Sequence, residues 1–336
     1  MHVLPQPPRR DRLDGLHSAD VEGLVVDRRA SDEGAERAAL VAGLRAKPAS
    51  IAPKYFYDAH GSSLFGAITE LPEYYLTRTE STIFARYRDD IVAAAGRRKQ
   101  FVDLGAGDCR KGLAWMPFLQ PARYVAVDIA GDTLARALSR LSRDHPRLDV
   151  HGVLADFTRR LDLAEDLTDR ATTFFYPGSS IGNFAPVDAL RLLREIRAHC
   201  RDERSGLLIG VDTRKDPARL VAAYDDAAGV TAEFNRNVLV NVNRVLGTRF
   251  MSDAFAHVAL FDEASSRIEM HLEARTEQTV VIDGVARTFA AGERIHTENS
   301  YKYAPRDFIA MLERAGFRDV RCWQDEARDF AVYYAS

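Results

Sequence analysis

Three acids and two glycines along the first half of the chain have the types and spacing to hold a nucleoside. Asp103-Leu104-Gly105-Ala106-Gly107 joins an apolar stretch to a helical one. Glycines at such a joint let the backbone turn tightly and approach a ligand closely. Asp128 follows about twenty residues on, where a carboxylate can accept two hydrogen bonds from a ribose diol. Asp156 closes a third apolar run and is followed by Phe157. An acid beside a ring suits adenine: the acid accepts from the exocyclic amine and the ring gives apolar contact. A Gly-x-Gly alone equally fits a turn with no ligand; the same turn with acids after two further strands specifies more.

These residues need a frame. Apolar runs at 100–104, 123–128, 149–154, 171–176 and 205–212 alternate with helical patterns at 111–119, 131–143 and 186–200. Such alternation predicts a parallel, doubly wound α/β sheet. A helix is expected over 31–46 with Ser31 as its cap, and another over 79–95. Between them, 48–80 is rich in Pro, Gly and aromatics and holds at most short helices; it fits either a core or a lid over a small-molecule pocket. Beyond the fifth strand, 216–244 reads helical. Residues 257–289 alternate as antiparallel strands, with Asp283-Gly284 as a hairpin turn. A helix over 305–316 and strands over 318–334 close the chain. The length divides into a sheet unit at 80–215 with a return at 301–336, and a discontinuous α+β substrate unit at 20–78 and 216–300. Residues 1–20 are expected to form a flexible arm.

The chain has 336 residues, with 46 Lys and Arg against 49 Asp and Glu. This near-balance disfavours a nucleic-acid binder, which needs a basic surplus. Cys109, Cys200 and Cys322 form no CxxC pair, which fits a reducing cytoplasm and excludes a cysteine zinc site. No charge-free window is long enough for a membrane helix, and the histidines show no metal-binding spacing. A monomer is expected, with no metal, no membrane and no nucleic-acid partner.

Two ligands fit the nucleoside features. A dinucleotide site uses G-x-G-x-x-G, whose third glycine packs helix on sheet; here the last glycine of GAGDCRKG, Gly112, is two positions late. S-adenosylmethionine has no pyrophosphate and needs no such pattern. The order D-L-G-A-G, V-D, A-D-F resembles the motifs of class I methyltransferases, which is favoured over a hydride-transfer enzyme.

The stretches KYFYD at 54–58, LPEYYLTRTE at 71–80, GSSIGNF at 178–184, YDDAAGVTAEFNRNVL at 224–239, RIEMHLEAR at 267–275 and TENS at 297–300 carry a closer resemblance. From Ile51 to the end, the chain resembles the histidine-specific methyltransferases of ergothioneine biosynthesis, which make Nα-trimethylhistidine (hercynine). The resemblance implies a class I methyltransferase sheet with a second substrate unit, and S-adenosylmethionine as methyl donor with S-adenosylhomocysteine as product. It implies that Tyr57 and Tyr74 approach the substrate and that Asn183 holds its amino-acid end. It further implies that Tyr224 binds the carboxylate, that Glu298 and Ser300 grip the imidazole, and that Met270 borders the ring. Tyr57 and Asn183 are the candidates nearest the chemistry. Gly105, Gly107, Lys111, Asp128, Asp156 and Phe157 are the donor-site candidates.

Elementary chemistry agrees with these roles. A neutral imidazole has one donor and one acceptor, matched by a carboxylate and a hydroxyl. Glu298 and Ser300 are spaced i, i+2, so on an extended segment they share a face. The chain departs from the family pattern at Asp108 and Cys109, where small hydroxyl residues are usual, and at Asn299, where an apolar residue is usual. Two other readings stay open. One is an Nα-methyltransferase for another amino acid such as tryptophan, which predicts an apolar residue in place of Glu298 or Met270. The other is a non-catalytic adenosyl-binding module.

Overall fold

The computed structural model describes residues 24–28 and 33–336. Its strands are β1 (Val25–Asp27), β2 (Ala49–Ser50), β3 (Gln100–Leu104), β4 (Arg123–Asp128), β5 (Asp149–Leu154), β6 (Thr172–Tyr176), β7 (Gly206–Asp212), β8 (Phe255–Asp262), β9 (Arg267–Ala274), β10 (Gln278–Ile282), β11 (Val285–Phe289), β12 (Arg294–Tyr301), β13 (Val320–Gln324) and β14 (Phe330–Ala335). Its helices are α1 (Glu33–Arg45), α2 (Ala59–Ile68), α3 (Tyr75–Arg86), α4 (Arg88–Ala95), α5 (Arg110–Leu113), α6 (Met116–Leu119), α7 (Gly131–Asp144), α8 (Pro186–His199), α9 (Pro217–Ala222), α10 (Val230–Leu246) and α11 (Pro305–Ala315).

Eight strands form the main sheet in the order β1-β5-β4-β3-β6-β7-β14-β13. Every residue of β3, β6, β7 and β14 is buried. That is why these strands read as unbroken apolar runs: helices cover both faces of the sheet. β14 runs antiparallel to β7 and β13, while the strands from β1 to β7 are mutually parallel. The sequence places 20–78 wholly in the substrate unit. β1 instead joins the main sheet, pairing its Val26 with Val153 of β5. The arm expected at 1–20 and the cap expected at Ser31 lie outside the described residues.

A second sheet has the order β2-β12-β9-β8. β9 alternates half-buried and buried along its length, so one face packs and the other is partly open. β10 and β11 form the expected two-residue hairpin, with Asp283 at φ 49° and Gly284 at φ 78°, the left-handed pair a type I′ turn needs. The chain leaves the main sheet after β7 and returns before α11, and Thr213 bridges Tyr303 at that crossing.

Three helices differ from expectation. The one expected at 79–95 starts earlier and breaks at Tyr87 into α3 and α4. The helical pattern at 111–119 is two single turns, with Pro117 starting the second. The pattern at 216–244 divides because Asp226 accepts the N–H groups of Val230 and Thr231, capping a new helix after Gly229.

Candidate active site

A cavity of about 1370 Å³ opens at the carboxyl ends of β3, β4, β5 and β6, and its other wall comes from residues between Glu36 and Arg88. At one end lies the glycine turn. Gly105 (φ 68°) and Gly107 (φ 52°) are both left-handed, and no atom lies within 4 Å of where a Gly107 side chain would start. Asp128 accepts from Gly107 N–H through Oδ2 (2.7 Å) and from Ala130 N–H through Oδ1 (2.8 Å). Each oxygen keeps a lone pair, so the carboxylate can still accept from a diol. The Phe157 ring meets Tyr176 edge-on at 5.8 Å and faces Gly105. Open glycine backbone, an acid at the next strand end and a ring beyond it make a cradle that fits an adenosyl group.

Gly112 does belong to this turn. A Cβ there would sit 2.2 Å from Asp103 Oδ2 and 2.6 Å from the Tyr124 hydroxyl. It therefore packs α5 onto the sheet, although it arrives two positions late. Burial pushes the Asp103 carboxyl up to about 7, offset in part by the Tyr124 hydroxyl that donates to it at 2.6 Å. Cys109 is buried at φ 63° beneath the turn. Asp108 faces outward and pairs with Arg110.

Asp156 is more heavily engaged than the sequence suggests. Lys54 donates to its Oδ2 at 2.9 Å, and the hydroxyl and N–H of Thr158 donate to Oδ1. Lys54 also pairs with Glu36 at 2.9 Å. Lys111 pairs with the buried Glu80 at 2.8 Å, and Glu80 in turn accepts from Gly178 N–H at 2.6 Å. Lys111 thus reaches the cavity as part of a fixed bridge between α3 and the loop after β6.

At the other end of the cavity are the tyrosines. The turn Pro53–Phe56 leads into Tyr57, and Asp58 caps α2 by accepting Gly61 N–H at 2.8 Å. Only glycine fits at 61, since a Cβ would lie 1.8 Å from the Phe56 carbonyl. Arg78 donates to the Leu71 and Pro72 carbonyls and so holds the turn that presents Tyr74. Tyr57 packs edge-on against Phe65 (5.8 Å) and Phe234 (6.0 Å), and Tyr74 against Phe65 (6.3 Å) and Tyr224 (6.4 Å). Burial, with the nearby Glu298 charge adding to it, holds the Tyr57 phenol well above its ordinary value. Tyr74 is held up in the same way, with Tyr224 and Glu298 adding to burial. Both stay protonated donors.

Asn183 ends the turn Ser180–Asn183, which presses on β12 so closely that a Cβ on Gly182 would lie 2.9 Å from the Tyr301 carbonyl. This contact lets the Asn183 amide donate to Glu298 Oε1 at 3.0 Å. Burial pushes the Glu298 carboxyl up to about 7, and the Lys302 charge and the Asn183 bond pull the other way. Ser300 lies further along β12, where its hydroxyl is 2.7 Å from that of Tyr224. Met270 is paired with Glu298 across β9 and β12, is 1 % exposed and belongs to the packed core. Asn299 Oδ1 accepts from His296 Nε2 at 2.9 Å, at the cavity wall.

Tyr57, Tyr74 and Asn183 therefore line the cavity, Glu298 stands directly behind Asn183, Tyr224 and Ser300 lie deeper, and Met270 serves as core. Sequence reasoning missed Lys54, Glu80, Asp212 and Lys302. Lys302 had a readable signal: it continues the i, i+2 spacing of Glu298 and Ser300. Glu80 and Asp212 are single acids in long motifs, with nothing local to mark them.

A doubly wound sheet with a reversed β14, joined to an adenosyl-shaped cradle, defines a class I S-adenosylmethionine-dependent methyltransferase. Residues 36–336 match the family described as histidine-specific, SAM-dependent methyltransferases, and the chain belongs to that family. It is 41% identical over 314 residues to a histidine N-alpha-methyltransferase of Mycolicibacterium smegmatis, covering 91% of this chain and 97% of that protein. It is 40% identical to a histidine N-alpha-methyltransferase of Mycobacterium tuberculosis, covering 88% and 93%. Ergothioneine biosynthesis protein 1 of Neurospora crassa is 30% identical across 82% of this chain, which spans 32% of that longer protein.

Proposed function

We propose that this enzyme methylates the α-amine of L-histidine, in three rounds giving Nα-trimethylhistidine for ergothioneine biosynthesis. The observation that carries the reading is the cluster of Tyr57, Tyr74, Asn183 and Glu298 at one end of a cavity whose other end is the Gly105–Gly107 cradle. The names of the mycobacterial relatives support the substrate. The name of the fungal relative supports the pathway.

Gly105, Gly107, Asp128 and Phe157 would hold the donor, with Lys111, bridged to Glu80, beside it. S-adenosylmethionine supplies a methyl on a cationic sulfur, which the amine nitrogen takes as the carbon–sulfur bond breaks. The protein's share is alignment, which contributes roughly 7–11 kcal/mol when reacting groups are held in line. Asn183 and the Tyr57 hydroxyl orient the amine. A phenol held protonated by burial does not act as the base, so the amine proton passes to solvent. The ring faces of Tyr57, Phe65 and Tyr74 favour the growing ammonium charge. Ionised Glu298 accepts from the imidazole N–H. An apolar side chain in that place would leave a buried carboxylate unpaired, at a cost of about 1–3 kcal/mol or more.

The test is mass spectrometry of reactions with L-histidine, its N,N-dimethyl form and tryptophan. Three added methyls on L-histidine support the reading. A single methyl overturns the three rounds, and a preference for tryptophan overturns the substrate.

A further inference from the structure

Behind Glu298 lies a fully buried ammonium that none of the roles above uses. Lys302 donates to Asp212 Oδ2 at 2.7 Å, to the Tyr224 hydroxyl oxygen at 3.0 Å and to Ser300 Oγ at 2.9 Å. Those three bonds spend all its protons. Asp212 is also fully buried, and it accepts from the Tyr75 hydroxyl and from Lys215 as well. Two lysines share this aspartate, and the Lys302 charge also reaches Glu298.

The hydroxyl pair then has a fixed hydrogen-bond count. Each oxygen gives one lone pair to Lys302. The 2.7 Å bond between them uses one proton and one further lone pair. Whichever oxygen accepts that bond has no lone pair left, and its own proton is unspent. Among the described residues neither oxygen has another partner. Without Lys302 the accepting oxygen would have a lone pair free and could donate or accept. With Lys302 in place it can only donate. The pair sits between Tyr74, which contacts the Tyr224 ring, and Glu298, two residues from Ser300 on the same strand.

We infer that Lys302 is a positioning residue that leaves one hydroxyl of the Tyr224–Ser300 pair able only to donate, and so aims a proton at the carboxylate of the amino-acid substrate. This rests on the proposed function, since it takes L-histidine as the ligand. An anionic acceptor meets the need of the site: it takes the unspent proton. Lys302 touches no reacting atom, so it sets affinity and leaves the methyl-transfer step alone.

The test compares wild type, Lys302→Met, Tyr224→Phe and the double variant. L-Histidine and histamine (which lacks the carboxylate) are titrated calorimetrically with S-adenosylhomocysteine present, and KM and kcat are measured for L-histidine. Lys302→Met is expected to raise KM about 10- to 100-fold, the range for a hydrogen bond to a charged group, with kcat little changed and histamine binding weakened less than L-histidine binding, since histamine feels only the loss of the Lys302 charge at Glu298. In the Tyr224→Phe background the same substitution should add little, because its effect passes through that hydroxyl. Multiplying effects in the double variant, or a fall in kcat at constant KM, would overturn the inference. If Lys302→Met does not fold, Lys302→Arg takes its place, keeping the charge but not the three-way ammonium geometry. A reduced preference for L-histidine over histamine in Lys302→Arg supports the inference, and an unchanged preference overturns it. A wild type that does not bind L-histidine overturns both readings; a wild type that binds it, with Lys302→Met unaffected, overturns this one alone.

Discussion

Replacing Glu298 by Gln should weaken substrate binding and strengthen the fold, and the two effects come from one cause. The carboxyl has an ordinary value of 4.5 and is held at about 7 by burial. In the folded protein it therefore keeps its proton over a pH range where the unfolded chain has lost it. The unfolded state binds fewer protons there, so stability falls as pH rises from about 4.5 to about 7 and stays low above it. At 1.36 kcal/mol per pH unit, moving the group by that interval costs about 3 kcal/mol at pH 8. Glutamine carries no charge to desolvate and keeps an oxygen for Asn183. Glu298→Gln should thus gain about 1–3 kcal/mol at pH 8 and nothing near pH 4.5, which for a chain of this size is a rise of a few degrees in Tm. In the same sample, L-histidine should bind about 10- to 100-fold more weakly at pH 8, since the charged acceptor for the imidazole N–H is gone. Wild-type affinity should fall more steeply below pH 7 than the variant's, since protonation of the ligand's own imidazole is common to both and only the wild type also protonates the carboxyl. Melting curves across pH, paired with calorimetry, read both. A variant less stable than wild type at pH 8, or one with an unchanged pH slope, would refute the reasoning.

Other substitutions test the donor end. Gly112→Ala forces a Cβ to within 2.2 Å of the buried Asp103 carboxylate; overpacking of this kind costs about 1–3 kcal/mol, so a lower Tm and weaker S-adenosylhomocysteine binding are expected, and an unchanged melt would count against the packing role. Lys54→Met leaves Asp156 with Thr158 alone and should weaken S-adenosylhomocysteine about 3- to 10-fold, the range for one ordinary hydrogen bond whose acceptor is no longer held in place; equal affinity in calorimetry would show that the bridge does not matter there. A thiol reagent should modify Cys322 alone in the folded protein, because Cys109 and Cys200 are buried and burial pushes both thiols up to about 12; two or more thiols reacting at the native rate would contradict the described packing.

The main sheet was legible because its strands are unbroken apolar runs ended by acids or glycines, and β3 to β7 fall within a residue of their expected bounds. What pattern reading could not show was partnership across long sequence gaps. β1 is too short to carry a period, and only its pairing with β5 assigns it to the main sheet. Gly112 looked misplaced because motif spacing assumes a regular helix after the turn, whereas Cys109 in a left-handed conformation resets the count. Glu298 was identified through its motif, but its raised carboxyl comes from burial, against which Lys302 and Asn183 pull, and Asn183 is distant in the chain. Met270 shows the converse: a residue in a distinctive motif is packed in the core, and its partner across the strands is the one that stands by the cavity.

The excursion between β7 and α11 departs and returns at the single crossing of Thr213 and Tyr303. Lys215 lies just past the point of departure and Lys302 just before the return, and both clasp Asp212 at the tip of β7. Asp212 is thus the hasp of a graft junction. A chimera that exchanged this segment to change the acceptor would have to import both lysines or replace Asp212 as well. One buried carboxylate stripped of its cations would threaten the host sheet, even though every strand of that sheet was kept.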